Sequence, residues 1–127
     1  MVIGLRMGLT ALWLLDSGGW FSIACTATLH WSPPDSCLLD GILGSTGCTV
    51  GKQNIKVREG HGVSAEFQSG LKKLQITLRT DVYKMIILAM SSDLKNIMKD
   101  HSNDELINRL IEADDDELFI VQDNSPA

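Results

Sequence analysis

Between Lys52 and Arg79 the apolar residues fall on every second position in three short runs, and this alternation constrains the fold more than any other feature. Side chains of a strand point to opposite faces with a period of two, so such runs read as half-buried strands. The runs are Lys52 to Arg58, Val63 to Gln68 and Leu71 to Arg79. Their inward sets are Ile55 and Val57, then Val63, Ala65 and Phe67, then Leu74, Ile76 and Leu78. Lys56, Arg58, Lys73 and Arg79 fall on the outward side. Gly60-His61-Gly62 and Ser69-Gly70 separate the runs, which predicts an antiparallel meander with tight turns. From Asp81 the period lengthens to that of a helix, with Val82, Met85, Ile86, Ala89, Leu94, Ile97 and Met98 on one face as far as Lys99.

The flanking segments fit the same plan. Residues 2–15 predict a helix ended by Ser17-Gly18-Gly19. Arg6 sits inside its apolar run, where a signal peptide would carry the charge ahead of the run, so a buried helix is the better reading. The run is too short for a membrane span. Gly4 and Gly8 lie one turn apart and allow close approach to a sheet or to a symmetric partner. Phe21, Ile23, Cys25, Ala27 and Leu29 alternate as a further strand, which makes Cys25 a core residue. Ser32-Pro33-Pro34-Asp35 reads as the start of a helix that runs to Ser45 and stops at Thr46-Gly47, with Ser32 as its cap. Ser102-Asn103-Asp104-Glu105 is a capping box opening a short helix that buries Leu106, Leu110 and Ile111. Asp114 to Glu117 reads as a solvated acidic turn without calcium-loop spacing, and Leu118 to Val121 as a last edge strand. The prediction is one α+β domain over residues 1–127, an antiparallel sheet with helices packed mainly on one face.

Composition narrows the function. Residues 51–84 carry seven basic and three acidic side chains, and residues 85–127 carry three basic and ten acidic ones. The basic middle is too sparse for a nucleic-acid surface, and strand alternation accounts for its charges. The three cysteines, Cys25, Cys37 and Cys48, form no C-x-x-C pair. That argues against a disulfide framework or a self-contained zinc finger and for a reduced, cytoplasmic protein.

The chemistry concentrates in D-S-C-L-L-D-G-I-L-G-S-T-G-C-T-V-G-K-Q-N, Asp35 to Asn54. A helix places Cys37 and Asp40 three apart on one face, and Cys48 follows its end in a glycine-flanked turn. Two thiols and a carboxylate converging on one cavity would suit zinc or another divalent transition metal, with Thr49, Lys52 and Asn54 supporting the thiolates. The same group could supply a reactive Cys48 with Lys52 lowering its pKa, and buried filler is the plain alternative. His30 is a further nitrogen donor candidate, although a loop histidine there reads as exposed; His61 and His101 read as surface residues. Gly47 to Lys52 looks like a phosphate-binding loop but has three residues between its glycines where that motif has four. It also has Gln53 where a hydroxyl should bind magnesium, and it follows a helix, so it is not read as a nucleotide site.

The run Cys37-Leu38-Leu39-Asp40-Gly41-Ile42 through Thr46-Gly47-Cys48-Thr49-Val50-Gly51-Lys52-Gln53-Asn54 resembles the FmdE family of formylmethanofuran dehydrogenase proteins. The resemblance continues through NIKV, GVSAEF and KKLQITL, and VIGLRMGLTAL looks like the family's first helix. Family members usually carry an H-G-H-x-C motif just before that helix, where this sequence has Met1. Leu43 stands where glutamine is frequent, and the C-terminal zinc finger of some members has no counterpart after Cys48. The expectation is an N-terminally shortened, single-domain member whose half-site is Cys37, Asp40 and Cys48.

The resemblance implies an accessory protein of the methanogenesis enzyme that interconverts carbon dioxide and formylmethanofuran. It also implies a homodimer, with the Gly4/Gly8 face as a contact, and association with the other components of that enzyme. No molybdopterin or iron-sulfur cluster is expected in this chain, because three cysteines cannot supply the four thiolates of a typical cluster. With the upstream histidines gone, weak, water-completed metal binding is expected. The alternatives are a free-standing enzyme with a cysteine or metal-water nucleophile, and a degenerate interaction module. No nucleic-acid or membrane partner is expected.

Overall fold

The computed structural model describes the backbone of residues 1–95 and 102–126 and, apart from residues 90–104, their side chains. The expected apolar positions Leu94, Ile97 and Met98, the reading of His101 and the side chains of the Ser102–Asp104 capping box lie outside the described residues.

Helix α1 spans Val2–Leu15 and buries Ile3, Met7, Ala11 and Leu15, a three-to-four spacing that lays one stripe on the core. The chain then turns through a short 3-10 segment, Trp20–Ser22, before strand β1, Ala24–Leu29. Phe21, which alternation assigns to that strand, lies instead in the turn and is 82% exposed. The cause is local: Gly19 and Trp20 both take positive φ, and the Ser22 amide closes back on the Gly19 carbonyl. From Ile23 onward the predicted alternation holds, with Cys25, Ala27 and Leu29 buried.

A 3-10 turn, Asp35–Cys37, leads into α2, Leu38–Thr46. The helix begins later than the expected start at Ser32. Pro33 and Pro34 have no amide hydrogen to donate, and the first bonds run from Ser36 to the Ser32 carbonyl and from Cys37 to the Pro34 carbonyl. The Ser32 hydroxyl makes no cap bond. Gly47 ends α2 in the left-handed conformation that glycine adopts without steric cost.

Strands β2 (Ile55–Glu59), β3 (Ser64–Ser69), β4 (Lys72–Leu78) and β5 (Phe119–Asp123) complete a five-stranded sheet in the order β2-β1-β3-β4-β5. The α+β class is as predicted, but the expected meander of β2, β3 and β4 is not formed. Strand β1 sits between β2 and β3, pairing parallel with β2 (Cys25 opposite Ile55) and antiparallel with β3. A parallel pair needs a crossover connection, and the segment containing α2 supplies it. Gly60-His61-Gly62 is therefore no hairpin turn; it passes the end of β1, where the Gly60 amide bonds the Leu29 carbonyl. Ser69-Gly70 does close a hairpin, between β3 and β4. Val57 is exposed and Ile55 only half-buried because β2 is an edge strand. Strand β5 forms the other edge, where the sequence placed it.

The helices and the inward side chains of the sheet share one core. The opposite sheet face is polar, with Thr26, Thr28, Arg58, Ser64, Glu66 and Gln75 around a shallow cleft. Helices α3 (Thr80–Lys95) and α4 (Ser102–Glu112) follow β4. Leu110 is buried as expected, but Ile111 is exposed because α4 meets the core through a narrow stripe. The acidic turn is a single turn of helix, α5, Asp115–Leu118. Arg6 reaches across to it, donating to the carbonyls of Leu110 (2.8 Å), Ile111 (2.9 Å) and Ala113 (2.6 Å) and to Asp115 Oδ1 (2.9 Å). These bonds satisfy the open carbonyls at the end of α4 and pin it to α1.

The Gly4/Gly8 face is neither on the sheet nor free for a second copy, because α2 occupies it. A methyl group on Gly4 would collide with the Leu38 carbonyl oxygen, one on Gly8 with the Ser45 hydroxyl, and one on Gly41 with the Met1 carbonyl oxygen. Helices α1 and α2 thus run side by side with backbone against backbone. By contrast, a methyl at Gly44, on the open side of α2, meets nothing within 4 Å. Gly41→Ala is expected to destabilise the fold by about 3 kcal/mol, the upper end for overpacking, since the obstructing atoms are main chain. Gly44→Ala should stabilise it by about 0.5–1 kcal/mol through helix propensity. Urea denaturation of the two variants checks the contrast.

Candidate functional site

The polar residues of the 47–54 segment turn inward on the loop itself. Thr46 Oγ1 donates to the Ile42 carbonyl (2.6 Å) and accepts from the Cys48 amide (3.1 Å). The Thr49 amide donates to Asn54 Oδ1 (2.8 Å), and the Lys52 amide to Thr49 Oγ1 (3.1 Å). Asn54 Nδ2 donates to the carbonyls of Trp20 (2.6 Å) and Ile23 (3.1 Å). Lys52 Nζ donates to the Gly47 carbonyl (2.9 Å) and lies 4.7 Å from the Trp20 ring centre and 5.6 Å from that of Phe21. An ammonium over aromatic faces is held by the ring quadrupoles. Thr49, Lys52 and Asn54, expected to support a reactive thiol or a metal, brace this loop against the turn at Trp20–Ser22.

Cys48 is sealed beneath the loop at 0% exposure, with its thiol 3.7 Å from the Ile23 carbonyl. Burial pushes its pKa up, against the smaller opposing effects of the Thr46 hydroxyl and the Lys52 ammonium. Cys25, also buried, is raised too, by burial first and then by the Cys48 charge. A nucleophilic thiolate needs the reverse, so the geometry gives no support to Cys48 with Lys52 as a catalytic pair.

Cys37 has the opposite environment. It is exposed at the start of α2 and borders a cleft between the N-terminal end of α1, the Asp35–Cys37 turn and α3. Asp35, read from sequence only as part of a helix start, is buried in the wall of this cleft, and its Oδ2 accepts from the Tyr83 hydroxyl at 2.8 Å. That hydrogen bond is the first cause of a raised Tyr83 pKa. Tyr83 is the one tyrosine of the chain. Nothing local in the sequence joins it to a residue 48 positions away.

The structure does not bring Cys37, Asp40 and Cys48 together. Cys37 and Asp40 are both exposed at the first turn of α2, whereas Cys48 lies beyond its last turn. A nine-residue helix rises about 13 Å. Zinc sits about 2.3 Å from each thiolate and takes four ligands in a structural site. Among the described residues no three His, Cys, Asp or Glu side chains are grouped to hold a metal ion, so the donors present do not fit a closed zinc centre. His30 is exposed and bonds Glu59 (3.1 Å). The Trp31 amide, more than His30, holds the Glu59 carboxyl below the ordinary carboxylate range. His61 is exposed on the rim of a second, open cleft that also includes His30, Glu59, Tyr83 and Lys84.

The chain is thus an α+β domain with one accessible thiol beside a small cleft. The chain matches the family model described as "FmdE, Molybdenum formylmethanofuran dehydrogenase operon" over residues 1–120, and it belongs to that family. No curated protein matches it.

The contrast between the thiols is measurable. In the native protein one thiol should react rapidly with a chromogenic disulfide, and Cys37→Ser should abolish that phase while the other two react only on denaturation. The folded state keeps Cys25 and Cys48 protonated beyond their ordinary value of 9.0, whereas the unfolded chain ionises there. Their contribution is therefore complete below that pH, and stability should fall above it, by at most about 1.4 kcal/mol per pH unit for each thiol. Urea titrations across this range, with a Cys25→Ala/Cys48→Ala control, measure the slope.

Proposed function

We propose that this chain is an accessory binding protein of the formylmethanofuran dehydrogenase type, working at the Cys37 cleft without redox cofactors of its own. Family membership supports the association with that enzyme system. One observation carries the placement: Cys37 is the exposed cysteine, and it shares its cleft with the buried Asp35–Tyr83 pair, while Cys25 and Cys48 are enclosed. Three cysteines, two of them in the core, leave no ligand set for a typical iron-sulfur cluster. Any zinc taken up at Cys37 and Asp40 would be completed by water, because Cys48 is out of reach. A reducing compartment such as the cytoplasm suits three free thiols. Among the described residues no helix is long and apolar enough to cross a membrane.

A homodimer is part of the proposal, through a different face from Gly4/Gly8. The outer side of α1 and the following turn expose Leu9, Trp13, Trp20 and Phe21, with Trp13 at 83% and Trp20 at 64%. Large exposed apolar side chains are the kind that interaction surfaces use. Trp13→Glu should shift the sedimentation coefficient from dimer to monomer without loss of secondary structure; a wild-type monomer would remove the dimer.

Co-expression with the catalytic components of a formylmethanofuran dehydrogenase tests the function. The tagged chain should co-purify with them, and a bulky Cys37→Trp substitution should reduce the yield of complex at least about tenfold, a loss of about 1.4 kcal/mol or more. A chain that travels alone, or a complex indifferent to Cys37, would refute the reading.

A further inference from the structure

Asp35 is a buried carboxylate that lines the cleft. The residue is 8% exposed, and the one described hydrogen-bond partner of its side chain is the neutral Tyr83 hydroxyl. A carboxylate offers about four acceptor positions, and burying one without a cation is costly. The described ion pairs are elsewhere, Arg6 with Asp115 and His30 with Glu59. Arg6 is held by the end of α4, and Lys52 by the Gly47 carbonyl and two rings.

The surroundings define what could complete this carboxylate. Asp35, Cys37 and Tyr83 are the polar side chains of a cleft otherwise lined mostly by aliphatic ones, among them Ile3, Val63 and Ile86. The cleft volume of about 180 Å³ is below the roughly 300–1,000 Å³ of pockets that take drug-sized ligands. An anion would be repelled by Asp35. A metal ion would find too few donors, since no cluster of three is present among the described residues.

We propose that the cleft binds a small organic ammonium compound, its N–H groups donating to Asp35 and its ring-sized or short-chain apolar body lying against Ile3, Val63 and Ile86. The ligand chemistry rests on the reading of this cleft as the working surface. Tyr83, whose hydroxyl fixes Asp35 from the side of α3, is a positioning residue for the carboxylate.

Benzylamine, benzyl alcohol and benzoate share one ring and differ in charge, so they separate the contributions of charge and ring. In titrations of the full chain followed by methyl NMR, benzylamine should bind at least about tenfold more tightly than benzyl alcohol, a difference of about 1.4 kcal/mol. Benzoate should not bind, and the shifts should centre on Ile3, Val63 and Ile86. Asp35→Asn should bring amine and alcohol within about twofold of each other, and Tyr83→Phe should weaken the amine while leaving it preferred. If Asp35→Asn does not fold, the wild-type ligand series decides alone. Equal binding of amine and alcohol at those methyls overturns the ammonium proposal and leaves the cleft reading intact. No binding of any probe also overturns the ammonium proposal, while the reading of the Cys37 cleft stands or falls on the co-expression experiment.

Discussion

The backbone-to-backbone contact of α1 and α2 organises the molecule. Gly4 and Gly8 on one helix and Gly41 on the other remove the side chains that would hold the axes apart. The register, Gly4 against Leu38 and Gly8 against Ser45, makes the two helices parallel, so both N-terminal ends lie at one end of the domain. That places Met1 and Ile3 beside Cys37 and opens the cleft there. At the other end the C-terminus of α2 runs under Trp20, and Cys48 is enclosed. One packing contact therefore separates an accessible cysteine from a sealed one.

The 47–54 loop shows how a run rich in hydroxyl, amide and amine groups can serve the chain itself. A tight connection between a helix end and an edge strand has backbone groups that no regular ladder satisfies. Thr46, Thr49, Lys52 and Asn54 supply those partners, and no buried side-chain nitrogen or oxygen is left unpaired among the described residues. Residue types that suit catalysis are also those that suit this task, and only their partners tell the two apart. The same holds for Arg6, which closes the end of α4.

Charge follows the layers. Lys56 and Arg58 lie on an exposed edge strand, where like charge discourages pairing with other chains. The acidic stretch forms the short helix α5, whose first turn carries three carboxylates, one of them paired with Arg6. Asp35 is the exception, a carboxylate in the apolar layer, and that contrast makes the cleft chemically distinct.

Element types were legible in the chain alone, because periods of two and of about 3.6 are local and survive any tertiary arrangement. Helix α1, the alternation in β1, β3 and β4, the edge strand β5 and the stop at Gly47 could all be read that way. The motif around Cys37 and Cys48 also identified the family, since identity along a chain needs no geometry. Packing settled whatever depends on which distant segments meet. The insertion of β1 between β2 and β3 was hidden because alternation specifies a face and not a neighbour, and two glycine-rich connections look alike whether or not they close a hairpin. The separation of Cys37 from Cys48 follows from the rise of a nine-residue helix, and the meeting of Asp35 with Tyr83 from the docking of α3 beside the start of α2. Periodicity acts over a few residues, whereas a site is made by contacts between residues far apart in the chain, and those exist only after the layers have packed.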